Sequence, residues 1–333
     1  MLSAFYTRQG DARDVLRVDE LNLPTPARGE VRVKVFASGI NPADVKRRAG
    51  AIARPMVFPI VIPHSDGAGV IDAVGAGVSP AREGERVWLW NAQWCRAFGT
   101  AAEFIALPSA HAVPLPPSAS FEVGAALGVP GMTAHRCISV LNDLRNRSVL
   151  VFGASGAVGR LCVQFAKSRG AMVAGVVRTP SGKASLSDVG ADGCFIASDP
   201  GFVQAVTCFA GSRGVDHIVD VDFAANVGLY LGLLARHGSV VVFGSASGMR
   251  PAVDVLPLQK HGVTLHFVSG AEQPRHCRDQ AIQHINQMLA ARRLSVRLPV
   301  AYRLQDIAGA HERVEAGAAG KVILDIALPG AAG

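Results

Sequence analysis

The chain has 333 residues, of which 49% are hydrophobic and 18% charged, with a formal net charge of +7. This length and hydrophobic content support a large core and indicate a globular protein of two domains. Lys and Arg form no run of five or more, so the positive charge fits an anionic ligand or a basic surface and does not by itself imply nucleic acid.

Cysteine spacing and the start of the sequence indicate the compartment. The six cysteines are scattered singly, with no C-x-x-C pair, which favours a reducing environment. The first residues, MLSAFYTRQGDARD, lack the apolar stretch of a signal peptide, and no uninterrupted apolar span of about 20 residues follows. We therefore expect a cytoplasmic protein with no membrane association.

The first part of the chain, residues 1–120, is rich in Gly and Pro and contains short β-like runs. These runs are EVRVKVFASG (30–39), GAGVIDAVGAGV (67–78), ERVWLW (85–90) and TAAEFIAL (100–107). Strands of this length and spacing are typical of a compact antiparallel or barrel-like domain.

The pattern changes after residue 120, where apolar strands alternate with helical segments. This alternation predicts βαβ units and a parallel sheet. A further strand is expected within GVTLHFVSG, either across a dimer two-fold or at the end of the sheet, and a helix is expected over 275–292. The four strands that alternate with helices are SVLVFG (148–153), AMVAGVV (171–177), VDHIVDV (215–221) and GSVVVFG (238–244).

A glycine-rich turn connects the first of these strands to a helix, with the spacing G-x-x-G-x-x-G. Such a turn lets a phosphate approach the backbone, and the N-terminus of the following helix presents unpaired N–H groups and a positive dipole end. The turn therefore predicts a dinucleotide pyrophosphate site; the alternative is a tight structural turn of an α/β protein. The predicted contacts are Gly153, Ser155, Gly156, Ala157, Val158 and Gly159.

The end of the second strand indicates which dinucleotide is bound. NAD sites usually carry an Asp or Glu there to bond the ribose 2′-OH, but no acidic residue occurs from 144 to 187. Instead, Arg178 and Lys183 lie where a 2′-phosphate would arrive, and Ser181 adds a hydroxyl. Charge-assisted contacts of this kind favour NADPH, while the alternative is a solvated basic loop.

Seven short segments of the chain occur in an order that characterises one family. They are ASGINPADVKRRAG (37–50), PHSDGAGVIDAVGAGV (63–78), GERVW (84–88), GTAAEF (99–104), LGVPGMTAH (127–135), GASGAVG (153–159) and GKVILDI (320–326). Together they resemble the medium-chain dehydrogenases/reductases, most closely the zeta-crystallin or quinone oxidoreductase branch, over essentially the whole chain.

The resemblance implies an α/β architecture of two domains. A GroES-like, β-rich barrel domain that holds the substrate would comprise residues 1–120 and 263–333, and a Rossmann domain with a doubly wound parallel sheet would comprise residues 121–262 and bind NADP. The resemblance also implies a cleft between the domains and assembly into homodimers or homotetramers.

Many members of the family use zinc, so the metal-ligand positions decide what is expected here. The catalytic zinc of the family needs a Cys in the first motif, where this chain has Asn41, and a His–Glu pair in the second. With Asp66 matched to the acidic residue, Ser65 replaces the His, and His64 lies one place early, as expected of a structural or pocket-lining residue. The structural zinc needs four closely spaced cysteines, but only Cys95 occurs between residues 80 and 120. We expect no zinc.

A missing Lewis acid narrows the chemistry that the resemblance implies. An ordinary ketone then lacks the main means of stabilising its alkoxide, whereas quinones and activated alkenes delocalise the negative charge. The sequence therefore predicts an enzyme, an NADPH-dependent quinone oxidoreductase that transfers hydride to a small-molecule quinone. The alternative is an NADPH-dependent reductase of α,β-unsaturated carbonyl compounds, with an enone or enoyl substrate.

The resemblance also assigns candidate residues outside the glycine turn. Asn41 matches the family's Asn near the nicotinamide and the substrate, where its amide donates to a carbonyl oxygen; the alternative is a simple turn residue. Thr133 matches a position close to the nicotinamide ribose, and the backbone of Gly244 and Ser245 follows the last Rossmann strand, where it commonly contacts the cofactor. Lys321 lies either near the cleft or on the surface.

At two positions this chain differs from the quinone reductases, which weakens the assignment of their substrate to it. Ile52 and Ala197 stand where those relatives often carry tyrosines that face the substrate and the cofactor. The more apolar pocket makes an enone or enoyl substrate a serious rival. The aromatic segment VWLWNAQWCRAF (87–98) forms either a pocket wall or part of the core.

A role without catalysis is the third interpretation. Zeta-crystallin relatives can serve as bulk lens proteins or bind RNA, and this chain is basic. It has no concentrated Lys/Arg patch, however, and no repeated basic–aromatic pattern of the kind that stacks single-stranded bases. A structural or RNA-binding role is therefore the minor alternative.

Overall fold

The computed structural model describes residues 1–51, 56–298, 300–317 and 319–326 of the chain. The chain divides into two compact units: Met1–Val129 together with the chain from Ile282 onward, and Pro130–Ala281. The domain boundaries predicted from the sequence, at residues 120 and 262, lie earlier in the chain than the divisions after Val129 and Ala281. The predicted boundaries stay predictions. No helix among the described residues is long and apolar enough to cross a membrane.

The secondary structure follows the two sequence patterns, short strands before residue 120 and alternating strands and helices after it. The strands are β1 (Leu2–Phe5), β2 (Arg17–Glu20), β3 (Glu30–Gly39), β4 (Asp66–Val74), β5 (Arg86–Leu89), β6 (Phe104–Pro108), β7 (Ala112–Pro114), β8 (Ser148–Phe152), β9 (Met172–Val177), β10 (Gly193–Ile196), β11 (Val215–Asp220), β12 (Leu234–Val242), β13 (Thr264–Phe267), β14 (Ala301–Arg303) and β15 (Ile323–Asp325). The helices are α1 (Ala12–Val15), α2 (Pro42–Ala49), α3 (Phe121–Ala125), α4 (Gly128–Ser139), α5 (Ala157–Ser168), α6 (Pro180–Ser187), α7 (Phe202–Phe209), α8 (Phe223–Asn226), α9 (Tyr230–Leu233), α10 (Val255–His261), α11 (Arg275–Ala290) and α12 (Ile307–Glu315). Short 3-10 helices lie at Pro80–Arg82, Ser109–His111, Val227–Leu229 and Leu304–Asp306.

The unit Pro130–Ala281 is built on a parallel sheet with the strand order β10-β9-β8-β11-β12-β13. Every residue of β8 is buried, as expected for an apolar strand in a sheet that is covered on both faces. The strand order reverses between β8 and β11, and in such sheets ligands bind outside the carboxyl ends of the strands at that point. The predicted Rossmann domain is confirmed.

The other unit contains a largely antiparallel sheet with the order β14-β15-β3-β4-β5-β7, and β6 also pairs with β3. Burial alternates along β3, where Val31, Val33 and Val35 face the apolar core. The late strand β15 pairs antiparallel with the early strand β3, so both parts of the chain build one sheet. The predicted GroES-like domain is confirmed.

Candidate active site and dinucleotide-binding site

Sheet register in the GroES-like unit brings together three polar side chains that are far apart in the sequence. Gly39, at the end of β3, is paired with Asp66 of β4 on one side and with Ile323 of β15 on the other. Asn41 follows the end of β3, and Lys321 comes shortly before β15. Asn41, Asp66 and Lys321 are all buried, which excludes the surface position considered for Lys321.

Gly39 makes the close approach of this group possible. A Cβ built on Gly39 would lie 2.0 Å from the carbonyl oxygen of Ala125 in α3 and 2.7 Å from Cε of Lys321. Heavy atoms cannot approach that closely. A side chain at this position would therefore displace either α3 or the lysine.

The side-chain amide of Asn41 is held at both ends. Lys321 Nζ donates to Asn41 Oδ1 at 2.6 Å, and Asn41 Nδ2 donates to Asp66 Oδ2 at 2.7 Å. Lys321 Nζ also donates to Asp66 Oδ2 at 2.6 Å, and the Val129 N–H donates to Asp66 Oδ1 at 2.7 Å. An amide nitrogen carries two hydrogens. Among the described residues, the second Nδ2 hydrogen of Asn41 has no protein acceptor.

Asn41 also caps the N-terminus of α2, which begins at Pro42. Asp44 Oδ2 accepts a hydrogen bond from the Asn41 N–H at 2.8 Å, which stabilises the first turn of the helix. Burial raises the pKa of Asp44 to about 6; Asp66 adds to the rise, whereas Arg47 opposes it. The extended backbone of Asn41 thus leads into α2, while its side chain belongs to the buried polar group.

His64 lies in a buried hydrogen-bonded chain in the same unit. Its Nδ1 is 2.9 Å from Ser38 Oγ, and its Nε2 is 2.9 Å from Nε2 of His311. Burial lowers the pKa of His64 well below its usual range and that of His311 to about 3. Both rings are therefore neutral at physiological pH, and one supplies the hydrogen that the other accepts.

The residues at the zinc-ligand positions of the family do not fit zinc here. Asn41 and Asp66 bond to each other and to Lys321, so an ammonium group already lies against both side chains. Zinc in proteins is bound by Cys, His and carboxylate side chains, and a neighbouring ammonium would repel it. In the described parts of the chain, no three His, Cys, Asp or Glu residues are grouped to hold a metal ion.

The aromatic segment 87–98 divides between core and surface. Trp88 and Trp90 are buried, and Trp88 Nε1 donates to Asn286 Oδ1 at 3.0 Å. Trp94 and Phe98 are exposed. The core interpretation therefore holds for the first two rings only.

The glycine turn of the Rossmann unit connects the end of β8 to the start of α5. Gly153 has a φ of +66°, in the left-handed region that favours glycine. A Cβ on Gly159 would lie 2.3 Å from the Gly153 carbonyl oxygen, so only glycine lets α5 pack this closely against the end of β8. The residues that remain half-buried at the N-terminus of α5 are Ser155, Gly156, Ala157 and Val158.

Basic and hydroxyl side chains follow the neighbouring strand. Arg178 comes directly after β9, and Ser181 and Lys183 lie in the first turns of α6. All three are exposed, and Ser181 Oγ lies 3.0 Å from Thr179 Oγ1. Because β8 and β9 are parallel neighbours, this group and the glycine turn lie at the same edge of the sheet.

The other predicted cofactor residues of this unit also lie at the carboxyl ends of its strands. Thr133 of α4 packs against Gly270 after β13, where a Cβ would lie 1.9 Å from Thr133 Oγ1. Gly244 follows β12, and its carbonyl accepts from the Phe223 N–H at 3.0 Å. Ser245 Oγ donates to the Gly248 carbonyl at 2.5 Å and accepts from a backbone N–H, so its hydroxyl stabilises the loop.

Sequence reasoning missed a buried carboxylate at this edge of the sheet. Asp220, the last residue of β11, accepts from Tyr230 Oη at 2.6 Å, Asn226 Nδ2 at 2.8 Å and the Asp222 N–H at 2.9 Å. A carboxylate at the end of a largely apolar run was the available signal. Its contacts fix the loop that follows β11.

Two family models match the chain. One is described as the alcohol dehydrogenase GroES-like domain and covers residues 27–117; the other, zinc-binding dehydrogenase, covers residues 157–287. The chain is 31% identical over 319 residues to the quinone oxidoreductase of Homo sapiens, an alignment that covers 93% of this chain and 94% of the relative.

Solved structures agree with these matches. The quinone oxidoreductase of Pseudomonas syringae superposes with a TM-score of 0.86 at 28% identity, over 98% of this chain and 99% of that one. The quinone oxidoreductase of Escherichia coli, complexed with NADPH, gives a TM-score of 0.87 at 25% identity, over 98% and 100% of the two chains.

A GroES-like unit combined with a Rossmann unit defines a class of dehydrogenases and reductases. The chain belongs to the medium-chain dehydrogenase/reductase family. Within that family it falls in the quinone oxidoreductase branch, and it is an oxidoreductase.

Ile52 and Ala197 stand at the two positions where relatives often carry tyrosines. Ile52 lies outside the described residues. Ala197 follows β10 directly and is exposed. Because its side chain is a methyl group, this position offers no hydroxyl. Its small apolar side chain leaves hydrogen bonding there to the backbone.

Proposed function

We propose that the protein is an NADPH-dependent, zinc-independent quinone oxidoreductase. The observation that carries the proposal is the basic, acid-free end of β9, where Arg178, Ser181 and Lys183 lie at the same edge of the sheet as the glycine turn. A ribose 2′-phosphate is a dianion that these groups can bind, whereas an NAD site would place a carboxylate there. The similarity to a quinone oxidoreductase complexed with NADPH supports the same choice.

Different residues of the Rossmann unit would bind different parts of NADPH. The turn Gly153–Gly159 and the first N–H groups of α5 would bind the pyrophosphate. Arg178 and Lys183 would bind the 2′-phosphate, Thr133 the nicotinamide ribose, and the backbone of Gly244 and Ser245 the remaining part. Bound NADPH supplies a hydride to the acceptor.

Asn41 is the proposed catalytic residue of the GroES-like unit, with a predicted contact to the nicotinamide as well. Its second Nδ2 hydrogen is available to a carbonyl oxygen of the acceptor. A quinone that gains a hydride delocalises the negative charge over its ring, so ordinary hydrogen-bond donors stabilise it. This chemistry requires no metal, in agreement with the residues at the zinc positions.

The substrate assignment is tested by steady-state NADPH oxidation with benzoquinone, a naphthoquinone and a set of enones. The proposal expects turnover with the quinones to exceed that with every enone in kcat/KM. The control is the same assay without protein, because quinones also react slowly with free NADPH. Turnover with enones alone would overturn the quinone assignment.

Zinc independence is tested on the same preparation by elemental analysis and by assay after treatment with a chelator. We expect far less than one zinc per chain and no loss of turnover. One zinc per chain, together with activity lost to the chelator, would refute zinc independence and leave the quinone assignment unaffected.

Reduction of α,β-unsaturated carbonyl compounds is the second candidate. Ala197 at the end of β10 favours it, since the hydroxyl typical of the quinone reductases is missing there. An enone needs only one hydrogen bond at its carbonyl oxygen, which Asn41 would donate.

The proposed protein is a homodimer or homotetramer in the cytoplasm. β13 is the last strand of its sheet and Phe267 at its end is exposed, which supports a homodimer or homotetramer formed through this edge. All six cysteines are free thiols, which supports the cytoplasm as the compartment. The partner in the reaction is a small molecule, and neither a membrane nor nucleic acid is required.

A further inference from the structure

The contacts of Asn41 assign a role to two residues that the proposed function does not use. We propose that Lys321 and Asp66 are positioning residues: they hold the Asn41 amide in one orientation and leave one N–H for the acceptor oxygen. The inference rests on the proposed function, in which that N–H donates to the acceptor.

Lys321 and Asp66 fix the orientation of the Asn41 amide. The oxygen and nitrogen ends of an asparagine side chain are similar in shape, so an unrestrained amide can adopt either orientation. Lys321 can only donate and contacts Oδ1, whereas the carboxylate of Asp66, paired with that lysine, accepts and contacts Nδ2. Rotation of the amide by half a turn would oppose donor to donor and acceptor to acceptor. The two charged groups therefore select one orientation.

The two charged groups are themselves held in place. Asp66 Oδ2 accepts from Lys321 at 2.6 Å, and Asp66 Oδ1 accepts from the Val129 N–H at 2.7 Å. Lys321 Cε lies so close to Gly39 that a Cβ there would be 2.7 Å away. Neither side chain can move without losing these contacts, so the orientation of Asn41 is fixed before a ligand binds.

The charge of Lys321 also affects the strength of the Asn41 donor. An ammonium that bonds to the oxygen of an amide polarises the amide, and hydrogen bonds in such chains strengthen one another. The free Nδ2 hydrogen of Asn41 thereby becomes a stronger donor. Lys321 acts through Asn41 rather than on the acceptor itself.

Stability of the fold does not explain why an ion pair is buried here. Lys321 and Asp66 are only 3% and 0% exposed. Replacing a buried ion pair with apolar side chains is often neutral or stabilising, so stability of the fold alone does not account for it. The orientation of one buried amide does account for it.

A double-mutant cycle tests whether Lys321 acts through Asn41. The variants are Asn41→Ala, Lys321→Met and the two combined, with Lys167→Met as a matched control because Lys167 pairs with Asp192 in the other unit. The measurements are kcat and KM with benzoquinone and the dissociation constant for NADPH. We expect each single variant to lower kcat about tenfold, as for the loss of one hydrogen bond in the transition state.

Coupling is the decisive readout of the cycle. In the combined variant, kcat should fall no more than about twofold below that of Asn41→Ala, because the lysine has no effect once the amide is gone. The dissociation constant for NADPH should change no more in Lys321→Met than in Asn41→Ala, and Lys167→Met should match the wild type. Losses that multiply to about a hundredfold would overturn the inference, as would wild-type kcat in Lys321→Met.

A further variant separates misfolding from misorientation. Lys321→Met leaves the carboxylate of Asp66 buried without its cation, so Lys321→Met/Asp66→Asn removes both charges together. We expect the combined change to restore the melting temperature but not kcat. If it restores both, the charges serve the fold alone and the inference is wrong. A wild-type protein without turnover would overturn the proposed function, and this inference with it.

Discussion

Arg178 is the residue on which the proposed preference for NADPH depends most. It follows β9 directly and is exposed at the edge of the sheet where the glycine turn lies. A charge-assisted hydrogen bond contributes about 1.5–3 kcal/mol. We therefore expect Arg178→Ala to weaken NADPH binding about tenfold or more and to leave NADH binding unchanged, as measured by quenching of protein fluorescence.

The matched control for this variant is Arg213→Ala. Arg213 is also exposed, but it precedes β11 and so lies at the opposite edge of the parallel sheet. It should have no effect on either nucleotide. An equal loss of NADPH and NADH affinity in Arg178→Ala would refute the 2′-phosphate contact.

The His64–His311 pair makes the stability of the GroES-like unit sensitive to acid. Burial lowers the pKa of His311 from 6.5 to about 3. Between these two pH values the unfolded state binds a proton that the folded state does not. The free energy of unfolding therefore falls by about 1.4 kcal/mol for each pH unit by which the solution is acidified. We expect the loss from pH 6.5 to 5 to be about 2 kcal/mol smaller in His311→Gln than in the wild type.

Urea unfolding followed by tryptophan fluorescence measures this difference. All three tryptophans, at positions 88, 90 and 94, lie in the GroES-like unit, so the signal reports on the correct part of the chain. Asp44 acts in the opposite sense, because its pKa is raised to about 6; its contribution is present in both proteins and cancels. Equal pH dependence in the two proteins would contradict the assignment.

At the scale of elements, the packing of α5 against β8 depends on Gly159. A Cβ at this position would meet the Gly153 carbonyl oxygen at 2.3 Å, so Gly159→Ala must move the helix whose N-terminus is proposed to bind the pyrophosphate. We expect a melting temperature several degrees lower and at least about tenfold weaker binding of both NADPH and NADH. Gly228→Ala is the control, because nothing lies within 4 Å of a Cβ there. Unchanged affinity in Gly159→Ala would contradict the proposed pyrophosphate site.

The elements themselves were largely predictable from the sequence. The run 30–39 matches β3 because its alternating valines show one buried face, and the apolar runs 148–153 and 171–177 contain β8 and β9 because both faces of a parallel strand are buried. The strand β14 was not predicted. It has three residues, and AYR carries too little pattern to identify it.

At the scale of the whole molecule, we expect a dimer or tetramer formed through the edge of β13. Sedimentation should show the wild type larger than a monomer and Phe267→Arg as a monomer, because a charge at the exposed end of this strand opposes pairing. Met249→Arg is the control, as Met249 is exposed but lies outside the strand. A monomeric wild type would refute the assembly.

The candidate site could be predicted only where its residues are close in sequence. The glycine turn and Arg178 follow consecutive strands, so the pattern alone places them at one edge. The resemblance placed Asn41 and Asp66 at two ligand positions of one zinc site. Lys321 could not be joined to them, since its contact depends on the register of β15 against β3. A motif records residue types, whereas this register depends on packing across the whole unit.

The central claim is NADPH-dependent reduction of a quinone. Its most direct test is the ratio of kcat/KM for NADPH to that for NADH, measured with benzoquinone as acceptor under identical conditions. The basic end of β9 predicts a ratio of about ten to a hundred in favour of NADPH, the equivalent of one charge-assisted hydrogen bond. A ratio of one or below, or no quinone-dependent oxidation of either nucleotide, would contradict the account.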